Sequence, residues 1–96
     1  MSYYANRAER LDLIAGLLAL AKFLEENEEV PAPKWVDVMV FPHESSYDAA
    51  RHEIDRIAVL IGVAARKSTA GHYLAPRRFG PIEYQAIAIP ANPEEA

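Results

Sequence analysis

"GHYLAPRRFGPIEYQAIAI", residues 71–89, decides how this chain folds. At its centre stands Gly80-Pro81, a pair that turns a chain and interrupts a strand. The flanking runs, His72 to Phe79 and Ile82 to Ile89, have the length and the aromatic and β-branched content of strands. In the first run His72, Leu74, Pro76 and Arg78 share one face, and Tyr73, Ala75, Arg77 and Phe79 share the other. In the second, Ile82, Tyr84, Ala86 and Ala88 oppose Glu83, Gln85, Ile87 and Ile89. The pattern predicts a β-hairpin with Tyr73 and Phe79 turned inward. Proline is tolerated in sheets mainly at edges and bulges. A break near Ala75-Pro76 is therefore expected, with a bulge that turns Arg77 and Arg78 the same way.

Upstream of the hairpin, Ala70-Gly71 turns the chain and Ala64 to Ser68 allows a short strand. Residues 47–62 form a helix whose core stripe is Ala50, Ile54, Ile57, Ala58 and Ile61, with Arg51, Glu53, Asp55 and Arg56 mostly off it. Ser45 or Ser46 caps its start, Asp48 supports its first turn, and Gly62 ends it. Before it, "WVDVMVF", Trp35 to Phe41, is a strand stopped by Pro42. Its Val36, Val38 and Val40 face is expected to be buried. The other face mixes Asp37 with Trp35, Met39 and Phe41. Val30-Pro31-Ala32-Pro33 is a rigid connector.

The first element is a helix over residues 4–27, with Asn27 a plausible stop. Two apolar stripes run along it: Leu11, Ile14, Leu18 and Ala21, and beside them Leu13, Leu17, Leu20 and Leu24. A helix on the surface of a small domain needs one stripe. The second must be covered by another element or by a second copy of the chain. Glu25 and Glu26 at its end oppose the helix dipole.

The expected fold is α+β: two helices packed on one face of a three- to four-stranded antiparallel sheet, in the order α-β-α-β-β. Residues 1–90 make a single domain and 91–96 a disordered tail.

Ninety-six residues, 51% apolar and 25% charged, have the balance of a folded domain rather than a disordered one. The chain contains no cysteine, which excludes disulfides, thiolate metal sites and a thiol nucleophile. A small secreted domain usually needs such staples, so a cytoplasmic location is expected. The N-terminus does not read as a signal peptide. The apolar run Leu13–Ala21 is too short to span a bilayer, so no membrane partner is expected. A formal net charge of −4 opposes general nucleic-acid binding.

Catalytic signatures are missing. His52-Glu53 opens like a zinc-protease helix, but Arg56 stands where the second histidine is needed. Asp48, His52 and Asp55 share a helix side and could hold a metal. The preferred reading is a solvated helix face with a local charge pair, and neither a metal nor a cofactor is expected. Ser45, Ser46, Ser68 and Thr69 lie in no nucleophile elbow, and the glycines form no phosphate loop. The chain is expected to be non-enzymatic.

The hairpin carries the candidate partner- or anion-binding residues His72, Tyr73, Arg77, Arg78 and Tyr84, with Arg66 and Lys67 nearby. The favoured reading of the arginines is structural: their stems cover apolar sheet surface and their heads pair with Glu83, Asp37 or the acidic helix. The candidate dimer interface is Leu13, Leu17, Leu20 and Leu24.

The leucine-rich first helix, "VPAP" before a strand ending in "FP", "EIDRIAVLIGV" and "GHYLAPRRFGPIEYQAIAIP" together resemble a group of small hypothetical proteins of actinobacteria and their phages or integrated elements. The similarity covers nearly the whole chain. That group has no established activity, so the resemblance implies an origin and carries over no functional residue.

The expected function is a protein-interaction module, a homodimer with an unidentified protein partner. A winged-helix-like nucleic-acid-binding protein is one alternative, with the hairpin as wing and Arg77 and Arg78 on phosphates. Against it stand two long helices where three are usual, and Glu53 and Asp55 on the reading helix. A small-ligand-binding domain lined by Trp35, Tyr73 and Tyr84 is the other.

Overall fold

A computed structural model describes residues 4–90. The elements run α1 (Arg7–Glu26), β1 (Val36–Val40), α2 (Tyr47–Ile61), β2 (Arg66–Lys67), β3 (Tyr73–Phe79) and β4 (Ile82–Ala88). The fold is α+β, and the described residues form two helices and one four-stranded sheet. The chain gathers into two compact units, Met1–Lys34 and Trp35–Ala96. The expectation of a disordered 91–96 tail lies outside the described residues.

The first unit is built on α1. Asn6 caps it: its side chain accepts the Glu9 N–H, and Glu9 accepts the Asn6 N–H, each at 2.9 Å. This reciprocal capping box satisfies two donors that a helix start leaves open. Asn27 ends the helix as expected, its side-chain amide donating to the Phe23 carbonyl at 2.8 Å. No residue of α1 is buried.

The second unit holds the sheet and α2. Ser46 is the cap of α2 and accepts the Ala49 N–H at 3.0 Å. Gly62 closes the helix in the left-handed region at φ 72°, where a side chain would be strained. Its N–H donates to the Ala58 and Val59 carbonyls. The predicted stripe points inward: Ala50, Ile54, Ile57 and Ala58 are buried and Ile61 is half-buried. It packs on Ala75, Ala86 and Ala88, whose small side chains let the helix lie close to the sheet.

The strand order is β1-β4-β3-β2. β3 pairs antiparallel with β4 and β2, but β1 pairs parallel with β4, from Val36 opposite Ile82 to Val40 opposite Ala86. The sheet is therefore mixed, where an antiparallel one was expected. After β1, α2 returns the chain across the sheet, and the β2–β3 reversal then sets β4 running in the same sense as β1.

Three further expectations change. The β3–β4 register runs unbroken from Tyr73–Ala88 to Phe79–Ile82, with Pro76 opposite Gln85, so there is no bulge. Phe79 and Ile82 flank a two-residue turn with Gly80 at φ 60° and form a hydrogen-bonded pair. Counting back by twos, Pro76 faces away from β4, toward an edge that β2 no longer covers, so its missing N–H costs no ladder bond. Phe79, expected inside, is 55% exposed at the end of the hairpin. The valine face of β1 is also incompletely covered, because α2 lies over β3 and β4: Val36 is exposed, and Val38 and Val40 are half-buried.

Candidate functional site

The β3–β4 register places the hairpin candidates. Tyr73, Arg77 and Tyr84 lie on the face that carries α2, with Arg77 directly opposite Tyr84. Arg78 lies on the other face, opposite Glu83. Without a bulge, the two adjacent arginines point to opposite sides of the sheet. The five residues thus form no single convergent patch.

Each arginine has a local partner. Arg77 Nη1 donates to the Ile61 carbonyl at 3.1 Å, and its guanidinium lies 5.1 Å from the Phe79 ring centre. Ile61 ends α2, so Arg77 supplies a positive charge to a helix terminus whose last turn contains no basic residue. Arg78 pairs with Glu83 at 3.3 Å, and Glu83 also accepts from the Gln85 amide. His72 sits in the turn before β3. Its N–H donates to Ser68 Oγ at 3.2 Å and its carbonyl accepts the Ser68 N–H at 2.7 Å.

The densest polar cluster lies where α2 crosses the start of β3, and it draws on residues of α2 that the sequence reading placed off the stripe. Tyr73 donates to Asp55 Oδ1 at 2.5 Å. Arg51, one helical turn before Asp55, lies 4.9 Å from the Tyr73 ring centre and 5.9 Å from that of Tyr47. Tyr47 donates to the Gly71 carbonyl at 3.3 Å. The hydrogen bond to Asp55 holds the Tyr73 pKa above the ordinary tyrosine value, with burial and the Asp55 charge adding and Arg51 opposing. The signal for this cluster was the helical spacing of Tyr47, Arg51 and Asp55, which places them along one flank of α2.

Among the described residues no three histidine, aspartate or glutamate side chains come close enough together to hold a metal ion. Of the Asp48, His52 and Asp55 trio, Asp55 is engaged by Tyr73. Trp35 precedes β1 and alternates with Val36, so it does not join Tyr73 and Tyr84 on the α2 face. A shallow cleft of about 310 Å³ opens between the Phe41–Ala50 segment and the end of β4.

The candidate interface residues on α1 are accessible. Leu13, Leu17 and Leu20 are each about half exposed and Leu24 is half-buried. Leu11, Ile14, Leu18 and Phe23 extend the apolar surface round the helix. No described helix is long and apolar enough to cross a membrane. No family model, curated protein or solved structure matches the chain.

Proposed function

We propose that the chain is a non-catalytic interaction module that self-associates through α1. The observation that carries this reading is a twenty-residue helix with no buried residue and a continuous leucine surface. Among the described residues of its unit, α1 is the one element of secondary structure, so the unit has nothing of its own to cover that surface.

The occupant the helix fits is another α1. Leu13, Leu17, Leu20 and Leu24 follow one another in alternating steps of four and three residues, the spacing of a two-helix seam. The seam is symmetric about its midpoint, so an antiparallel pair sets Leu13 against the partner's Leu24 and Leu17 against the partner's Leu20. Charge also favours the antiparallel arrangement. Glu25, Glu26, Glu28 and Glu29 crowd one end, and a parallel pair would bring the two acidic ends together. The other end is balanced, with Arg7 and Arg10 beside Glu9 and Asp12. A cytoplasmic setting suits an assembly with no cysteine to staple it.

Sedimentation equilibrium on the intact chain tests the reading. The expected mass is twice 10.7 kDa. The double change Leu17→Glu, Leu20→Glu is expected to weaken association and shift the mass toward the single-chain value, because it sets carboxylates against each other at the centre of the seam. A wild-type chain that stays monomeric at high concentration overturns the proposal.

A further inference from the structure

β1 is an edge strand. It has β4 on one side and, among the described residues, no strand on the other. Val36 N–H donates to the Pro81 carbonyl at 3.1 Å, at the start of the parallel ladder with β4. In such a ladder alternate residues face the neighbour, so Val36, Val38 and Val40 direct their backbone groups to β4. Trp35, Asp37, Met39 and Phe41 then direct theirs outward. Natural edges are blunted by lysine, proline or a bulge. The Val36–Val40 strand has no lysine, proline or bulge, and its one charged side chain is Asp37.

We propose that this edge pairs with the β1 edge of a second copy, antiparallel and about a two-fold axis at Val38. The contact lies within the Trp35–Ala96 unit and does not rest on the α1 reading. Three features favour this partner and this register. The outward backbone groups match: Asp37 and the partner's Met39 become a hydrogen-bonded pair, while the two Val38 residues meet as a non-hydrogen-bonded pair. The charges match as well. An axis at Asp37 would set two carboxylates directly opposite each other, whereas the axis at Val38 sets each against a methionine. Finally, the register sets Trp35 against the partner's Phe41, and both are exposed, at 68% and 40%. Aromatic pairs across an edge are favourable contacts. On the opposite face, the part-covered valines meet: Val36 with the partner's Val40, and Val38 with its own copy. An axis at Met39 would lose the aromatic pair.

The register is tested by cysteine cross-linking, for which a chain without cysteine needs no prior mutation. In a non-hydrogen-bonded pair the Cα atoms lie about 4.5 Å apart, inside the roughly 4.4–6.8 Å range a disulfide accepts. Full-length Val38→Cys, oxidised mildly at dilute concentration, is expected to form a covalent dimer. Val36→Cys and Val40→Cys are each expected to stay monomeric alone and to cross-link when mixed. Equal cross-linking by all three single variants, or by none, overturns the proposal. So does cross-linking confined to a Val38→Cys and Val40→Cys mixture, which reports the Met39 axis. Repeating the set with Leu17→Glu and Leu20→Glu separates this contact from the α1 contact. Cross-linking that survives belongs to the edge, and cross-linking that disappears shows that the edge does not associate by itself.

Discussion

Tyr73 couples the two layers of the second unit through one hydroxyl, which donates to Asp55 while Arg51 lies over the ring. Tyr73→Phe keeps the ring and deletes the bond. At neutral pH this change is expected to cost about 1 kcal/mol in urea unfolding. The alkaline dependence gives a second readout. The folded pKa of Tyr73 is raised, so the folded state holds the proton more tightly than the unfolded chain. Its contribution is full below the unfolded value of about 10 and is lost as pH rises through the folded value. Wild-type stability is therefore expected to fall above about pH 10, and the part of that fall due to Tyr73 is absent in Tyr73→Phe. An equal decline in both proteins would show that the bond does not hold the proton. At this scale the sequence was legible where chemistry is local: Ser46, Gly62 and Asn27 are caps because their own side chains or φ angles suit helix ends. Arg77 and Arg78 were not legible. Their faces depend on whether Pro76 breaks the strand, and that depends on where β2 stops.

The two helices make a contrast at the scale of the element. α2 buries its stripe against three alanines of the sheet, and Ile54 is fully buried at the centre of that contact. Ile54→Ala is expected to destabilise the second unit by about 2–5 kcal/mol, measured by chemical denaturation, because it removes fully buried apolar atoms and leaves a void that closes only in part. Ser46→Ala, at the cap of the same helix, is expected to cost about 1 kcal/mol. The stripe of α2 was readable from periodicity because one apolar face on a polar helix has one destination. The apolar surface of α1 extends round much of the helix, and periodicity says that it needs cover without saying from what. The strands divide in the same way. β3 and β4 announced themselves through alternation and the Gly80-Pro81 turn, whereas the short β2 spans just Arg66–Lys67 of the expected 64–68 segment.

For the whole molecule, self-association makes stability depend on concentration. If α1 is held by a second copy, each tenfold increase in chain concentration adds about 1.4 kcal/mol to the dimer. The helical melting transition is then expected to move upward with concentration, followed by circular dichroism across a dilution series. A melting temperature that ignores concentration argues for a helix held within its own chain. The α+β class, the end of α1 at Asn27, both ends of α2 and the hairpin were legible in the sequence itself, because caps, turns and periodicity act over a few neighbouring residues. The start of α1 was not: it was expected from residue 4, and the helix starts at Arg7 behind the Asn6 cap. The tertiary structure alone decided that β1 runs parallel to β4, that α2 leaves the valines of β1 part-covered, and that the arginines lie on opposite faces. These features arise from contacts between segments far apart in the chain, where direction and register follow from which strand finds which neighbour.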